Sequence, residues 1–298
     1  MSIKIETDKC LRERIAYADD GFTFAMFTDD YSKFYKRTLN CHWHYDFEFS
    51  YVLSGTVDYF INDTYIEAAE GECIFVNSNM LHMGKQPKNC NRTEMFTVTF
   101  PVSLLAADSS NIYAKYFQPV LSSRIEGFKA SREDASGDEI RACLLEISAL
   151  GASCFAYELE CHSLAGRLWI ATLRYIEGNE SALLWHTGSS HHAERMKEIL
   201  SFVHDNFVKR ITVDDIAQYV NISRSECFRC FKRFMNKRPV EYINEYRLQK
   251  AAKLLRETEQ SITDIYLGCG FDNASYFSKA FKDRYMATPI QYRKSAKQ

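Results

Sequence analysis

Four residues in the first hundred have the types and spacing to hold a cation. His42, His44 and Glu48 form H-x-H-x-x-x-E, and His82 follows near the end of GECIFVNSNMLH. Imidazole nitrogens and carboxylate oxygens are ordinary ligands of divalent transition metals, and three imidazoles with one carboxylate make a plausible set. His42, His44 and Glu48 share one parity, so a single strand would point them to one face, opposite Trp43, Phe47, Phe49 and Tyr51. His82 would join them from a neighbouring strand. The same groups also suit the orientation of an organic ligand between apolar walls. They serve equally as hydrogen-bonding groups within a barrel that holds no metal. These readings stand side by side at this point.

A different chemistry occupies the other end of the chain. Ser261, three residues before Asp264, caps a helix carrying Ile262, Ile265 and Tyr266, and Gly270 breaks it. A second helix after Asp272 places Tyr276, Phe277, Ala280 and Phe281 inward and Asn273, Ser275, Lys279 and Lys282 outward. Two short helices about a tight glycine turn, the second of them basic, describe a helix-turn-helix DNA reader. The pattern occurs twice: Ile216 matches Ile265, Phe231-Lys232 matches Phe281-Lys282, and Pro239 matches Pro289, offset by 49 residues before the turn and 50 after it. Thr212 with Asp215 caps the start of the first unit, and Asn221 and Asn236 take the glycine positions because asparagine tolerates the left-handed region.

The candidate base readers are Arg224, Ser225, Glu226 and Arg229 in the first unit and Asn273, Ala274, Ser275 and Lys279 in the second. Arginine pairs bidentately with guanine, asparagine with adenine, and alanine can meet a thymine methyl. Glu226 lies three residues after Ser223, so helix capping competes with reading. Arg229 and Lys279 serve phosphate equally well. Lys232, Arg233, Lys282 and Arg284 read as backbone contacts or solvated charge. Cys227 and Cys230 form C-x-x-C but have no second ligand pair at zinc-site spacing, so Cys227 reads as core filler.

The elements that must position these groups follow from the patterning. Residues 1 to about 105 alternate short apolar runs (FTFAMFT, FEFSYVLSG, DYFIND, CIFVNSN, EMFTVTF) with turn residues, as an antiparallel barrel or sandwich requires. Residues 106 to 190 carry Leu144, Ile147, Leu159, Leu164, Leu168, Ile170 and Leu173 at helical spacing, predicting two amphipathic helices. EGNESALLWHTGSSHH, residues 177 to 192, reads as a linker. Beyond it, Met196, Ile199, Leu200 and Val203 form one helical stripe. Leu248, Ala251, Ala252 and Leu255 form another, on a helix of about nineteen residues joining the two readers. At about 1.5 Å per residue that rod spans roughly 28 Å, and with the width of the units added two recognition helices reach successive major grooves, about 34 Å apart.

Composition bounds the rest. The chain of 298 residues is long enough for two domains. Its net charge of −2 hides an asymmetry: from Ala193 onward 20 Lys+Arg stand against 13 Asp+Glu, and before it 17 against 26. A basic end on an acidic chain suggests a nucleic-acid module joined to something that does not touch phosphate. No apolar run is long enough to span a membrane, and the N-terminus lacks a signal-peptide centre, so the expected location is cytoplasmic. Ten scattered cysteines read as reduced thiols.

The segment from Ile265 through Gly270-Phe271, Ser275-Tyr276-Phe277, Phe281-Lys282 and Pro289 to Tyr292-Arg293 closely resembles the C-terminal signature of AraC/XylS-family transcription regulators. Tyr266 departs from the family's usual alanine and Met286 from its usual turn glycine. The H-x-H-x-x-x-E with Gly55 is similar to the first cupin motif; the second is degraded, with Gly71 and His82 in place but Asn77 and Asn79 where proline and glycine are expected. The resemblance implies an α+β multidomain chain. Its parts would be a cupin-like effector-binding β-barrel (1–110), a helical dimerisation and linker region (111–190), and an all-α DNA-binding domain (191–298) with helix-turn-helix units at about 212–234 and 261–284. It implies double-stranded DNA, a small-molecule effector with sugars among the candidates, RNA polymerase and a second copy of the chain as partners. The expected function is an effector-controlled activator without enzymatic activity or resident cofactor. The alternative is a metal-dependent cupin enzyme or metal sensor fused to a DNA-binding domain, with His42, His44, Glu48 and His82 as its ligands.

Overall fold

The computed structural model describes residues 5–8, 10–17, 21–185, 191–235 and 237–296. Asn236 and residues 186–190 of the expected linker lie outside that set. The chain divides into two compact units, Met1–Ala193 and Glu194–Gln298.

The N-terminal unit is built on antiparallel strands β1 (Ala25–Asp30), β2 (Thr38–His42), β3 (Phe47–Ser54), β4 (Thr56–Ile61), β5 (Thr64–Ala69), β6 (Cys73–Val76), β7 (His82–Lys85), β8 (Glu94–Phe100), β9 (Ile125–Ala130) and β10 (Leu183–Trp185). They form a six-stranded sheet in the order β1-β8-β3-β6-β9-β10 and a four-stranded sheet in the order β2-β7-β4-β5. The helices of this unit are α1 (Asn111–Tyr116), α2 (Gln118–Leu121), α3 (Asp138–Ser148) and α4 (Tyr157–Gly178).

Strand alternation assigns the two faces. On β3, Phe47 and Phe49 enter a core shared with Ile140, Leu144 and Ile147 of α3 and Leu164, Leu168 and Trp169 of α4. Trp169 stacks on Phe47 at 4.4 Å and on Phe117 at 4.9 Å between ring centroids. The other face of β3 carries Glu48, Ser50 and Val52; Val52 joins Leu39, Val57, Tyr59, Ile61, Ile74 and Met95 in a second core between the sheets. The first core glues helices to the barrel and the second fills it.

Three expectations need correction. Residues 106–190 are not wholly helical: β9 and β10 extend the six-stranded sheet, so the barrel draws on chain beyond residue 110. The run Ile125–Ala130 is too short for a period to show, and Gly127 passes so close to β6 that a Cβ would lie 2.2 Å from the Phe75 carbonyl oxygen. The segment 177–185 is not a flexible connection, because α4 runs to Gly178 and Leu183–Trp185 pair with β9. Leu159 and Ile170 are 73% and 51% exposed and belong to no core.

The C-terminal unit carries α5 (His191–Asn206), α6 (Val213–Tyr219), α7 (Arg224–Met235), α8 (Pro239–Glu257), α9 (Ile262–Gly268), α10 (Ala274–Tyr285) and α11 (Pro289–Ala296). A reciprocal Thr212–Asp215 capping box starts α6, and Asn221 takes the turn to α7 at φ 53°. Gly270 makes the second turn at φ +80°, where a Cβ would meet the Phe207 carbonyl oxygen at 2.4 Å. Helix α8 buries Leu248, Ala251, Ala252 and Leu255 against Ile265, Phe271, Phe277 and Phe281. Burial of this stripe, more than helix propensity, stabilises the nineteen-residue helix between the two readers.

Candidate functional site

The structure brings His42, His44, Glu48 and His82 together, by a route other than one strand. His42 ends β2 and His82 opens β7, where the two are cross-strand partners. His44 lies in the turn after β2, and Glu48 is the second residue of β3. One ligand atom from each of the four lies within 4.8 Å of the others, and all four residues are buried.

Each imidazole is held from behind by a backbone carbonyl two residues away. His42 Nδ1 lies 2.8 Å from Asn40 O, His44 Nδ1 3.1 Å from Asp46 O and His82 Nδ1 2.9 Å from Met80 O. A carbonyl only accepts, so each Nδ1 is a donor, and His42 Nε2 lies 3.5 Å from Glu13 Oε2. Glu48 Oε2 sits 3.3 Å from Nε2 of His44 and 3.3 Å from Nε2 of His82. Its other oxygen, Oε1, accepts the Tyr59 hydroxyl at 2.5 Å and Ser50 Oγ at 3.4 Å. Burial opposes ionisation of Glu48, but the imidazoles of His82 and His44 outweigh it and hold the carboxyl well below its ordinary range. Burial, then the neighbouring His82, keeps His42 well below the usual imidazole value.

A cavity of about 210 Å³ opens beside His42 and Glu48. Phe27, Phe34, Leu39 and Met95 supply apolar wall, and Glu13, Asp29, Ser50, Tyr59, Thr97 and Thr99 supply polar groups. Burial and the nearby Glu48 push the Glu13 carboxyl up to about 7, and the same causes push Asp29 to about 6. The Thr99 hydroxyl is buried with no hydrogen-bond partner among the described residues. Sequence reasoning missed these wall residues. Tyr59 was within reach, since Val57, Tyr59 and Ile61 alternate inward on β4, but Glu13 lies in a segment with no period at all.

The second candidate surface is the exposed side of α7 and α10. Arg224, Ser225 and Arg229 are exposed on α7, with Arg224 Nη1 bonded to Asp214 at 2.6 Å and Arg229 paired with Glu226. Ser223 Oγ accepts the Glu226 backbone N–H at 3.1 Å, so Ser223 makes the cap, and the Glu226 side chain turns to Arg229. On α10, Ala274, Ser275 and Lys279 are exposed. Asn273 is the N-cap, its Oδ1 accepting the Tyr276 N–H at 2.8 Å. Tyr276 is not inward: it is half exposed, its hydroxyl accepting from Asn244 at 3.0 Å. Arg284 is not solvated charge either, since it is buried with Nη1 3.7 Å from Glu245. Cys227 and Cys230 are buried, and burial pushes their thiols up to about 12 and about 11, so neither offers a thiolate at neutral pH.

A family model described as a helix-turn-helix domain matches residues 216–295, and one described as an AraC-like ligand binding domain matches residues 34–160. The uncharacterized HTH-type transcriptional regulator YdeC of Bacillus subtilis is 30% identical over 273 residues, covering 87% of this chain and 90% of its own. The chain belongs to the AraC family of transcription regulators. The melibiose operon regulatory protein of Escherichia coli K12 is 24% identical over 263 residues, covering 86% of this chain and 84% of its own. Among solved structures, an AraC-type DNA-binding domain protein from Chromobacterium violaceum is 33% identical over 37% of this chain and 98% of its own, at a TM-score of 0.35. Fatty-acid-bound ToxT of Vibrio cholerae is 15% identical over 94% of this chain and 97% of its own, at a TM-score of 0.43. As a member of the family, the chain is a DNA-binding transcription regulator with a helix-turn-helix domain and a ligand-binding domain. Among the described residues, no helix is long and apolar enough to cross a membrane.

Proposed function

We propose that this regulator is a cytoplasmic homodimeric activator, and that a small polar effector in the barrel cavity sets how its two chains place their DNA readers before RNA polymerase. The observation that carries this reading is the cavity itself. It has room for a molecule of monosaccharide size, and its lining combines apolar side chains with hydroxyl and carboxyl groups, including the Thr99 hydroxyl that has no partner among the described residues. Sugars are the first class to try, since a relative is named for the melibiose operon. The barrel is read as a sensor and not as an enzyme.

Dimerisation is supported by the outer face of α4. Leu159 and Ile170 lie eleven residues apart, three helical turns, and so share a face, with Phe155 94% exposed just before the helix. Exposed large apolar groups grouped in this way mark an interaction surface.

The test is reporter transcription from the chain's own promoter with Thr99→Phe, which fills the cavity, and with Leu159→Glu, which charges the outer face. The expected result is loss of effector response in Thr99→Phe with DNA binding intact, and a shift to monomer in Leu159→Glu by sedimentation. A full effector response from a filled barrel sinks the reading.

A further inference from the structure

We propose that His42, His44, His82 and Glu48 bind one divalent transition-metal ion of borderline character, such as Zn²⁺, through the three Nε2 atoms and Glu48 Oε2.

The donor set is prepared for this. All three imidazoles give Nδ1 to a backbone carbonyl, at 2.8, 3.1 and 2.9 Å, which fixes the ring orientation; Nε2 of His44 and of His82 then lies 3.3 Å from Glu48 Oε2, and Nε2 of His42 3.5 Å from Glu13 Oε2. Outer hydrogen bonds of this kind are how proteins orient histidine ligands. Glu48 is oriented the same way: Tyr59 and Ser50 occupy Oε1, and Oε2 alone faces the imidazoles. Five contacts thus orient the four side chains.

The electrostatics ask for a cation. Nε2 and a carboxylate oxygen are both electron-rich, and two such contacts stand at 3.3 Å. Something positive must lie between them, either a proton or a metal ion. His82 Nε2 is fully buried, 3.3 Å from Glu48 Oε2, and meets no hydrogen-bond geometry among the described residues.

The spacing agrees with a four-coordinate ion. With bonds of about 2.0–2.2 Å, the edges of a tetrahedral site are about 3.3–3.6 Å. Both contacts to Glu48 Oε2 fall at 3.3 Å. The widest separation in the set is 4.8 Å, so one side chain closes by a little more than about 1 Å on binding. His42 and Glu48 also line the cavity, so the ion would present one side to it. There an oxygen of the effector can add as a fifth ligand, a consequence that rests on the effector reading, whereas binding of the ion does not.

The experiment uses the intact chain, stripped with chelator and titrated with Zn²⁺ by calorimetry, with Co²⁺ as the spectroscopic probe. The expected result is one ion per chain and visible absorption from Co²⁺ in a site of low symmetry. His82→Ala and His44→Ala should each weaken Zn²⁺ binding by at least about 10-fold, the lower end of what losing even an outer-shell partner costs. Circular dichroism of each variant shows that it remains folded. Should a variant unfold, Tyr59→Phe, which leaves all four ligands in place, is the substitute and should weaken binding by about 10–100-fold. Folded wild-type chain that takes up no Zn²⁺ or Co²⁺ at micromolar concentration overturns the proposal in favour of protons alone. Equal affinity in wild type and a folded His82→Ala overturns it as well, by placing the ion elsewhere. An ion that binds while no effector is found leaves the metal centre standing and refutes only the effector reading.

Discussion

The Tyr59 hydroxyl donates to Glu48 Oε1 at 2.5 Å, a contact between two buried side chains on different sheets. It joins β4 to β3 through the interior and leaves Glu48 one oxygen for the histidines. Tyr59→Phe removes the donor and leaves Oε1 with only Ser50 Oγ at 3.4 Å. Loss of a hydrogen bond to a buried charged group costs about 1–3 kcal/mol. The expected outcome is destabilisation of the N-terminal unit by that amount in urea unfolding. Tyr31→Phe is the control, since among the described residues the Tyr31 hydroxyl meets only the Met95 thioether at 3.3 Å, a weak acceptor. Equal losses in the two variants would mean that the carboxylate contact contributes nothing of its own.

The α7 and α10 surfaces should separate under salt and sequence variation. Lys279 is an exposed point charge with no sequence code of its own, so Lys279→Ala should weaken specific and random DNA alike and lower the salt slope by about 1. Arg229 can leave Glu226 for a guanine edge, and Arg229→Ala should cost about 1–3 kcal/mol on the operator only. Binding titrations across a salt series on both DNAs check this pair. An equal loss on both DNAs would make Arg229 a phosphate contact.

What the sequence made legible, and what it hid, follows from how far each pattern reaches. The α8 stripe and the repeated turn positions are local, so Leu248, Ala251, Ala252 and Leu255 are where spacing put them, and Asn221 does adopt the left-handed turn. Parity told Glu48 from Phe47 and Phe49 correctly on β3. The same parity argument failed between His42 and Glu48, because the chain turns at 44–46 in a stretch with no glycine or proline to announce it. The cluster forms anyway through the cross-strand pairing of His42 with His82, a long-range relation that no periodicity carries. Glu13, 3.5 Å from His42 Nε2, is invisible for the same reason.

Two left-handed positions in the C-terminal unit should respond in opposite directions. Met286 sits at φ 56° with its side chain 86% exposed, so it bears the strain of an L-residue there without packing to offset it. Met286→Gly should stabilise the unit by about 0.5–1 kcal/mol, the strain relieved less the extra entropy glycine loses on folding. Gly270→Ala should destabilise it by about 2 kcal/mol or more, since a Cβ there would sit 2.4 Å from Phe207 O and 2.9 Å from Val208 O. Chemical unfolding of the two variants measures both signs.

Acid should loosen the C-terminal unit through His204. Its ring is buried against Tyr246 at 3.8 Å, with Nε2 2.8 Å from the Tyr242 hydroxyl. Burial, with Lys250 adding to it and Asp205 opposing, lowers the folded-state value to about 3 from 6.5. A histidine so depressed binds fewer protons folded than unfolded between pH 3 and 6.5. Stability is therefore fully present above pH 6.5 and falls as pH drops through that window, by at most about 1.4 kcal/mol per pH unit from this group. His204→Phe keeps a stacked ring and removes the titration, so the difference between wild type and variant should be flat above pH 6.5 and sloped below it. Hydrogen exchange of α5 and α8 in the intact chain, at pH 7.5 and 5, reads that difference locally. Parallel pH dependence in the two proteins would assign the acid sensitivity to other groups and leave His204 with a packing role alone.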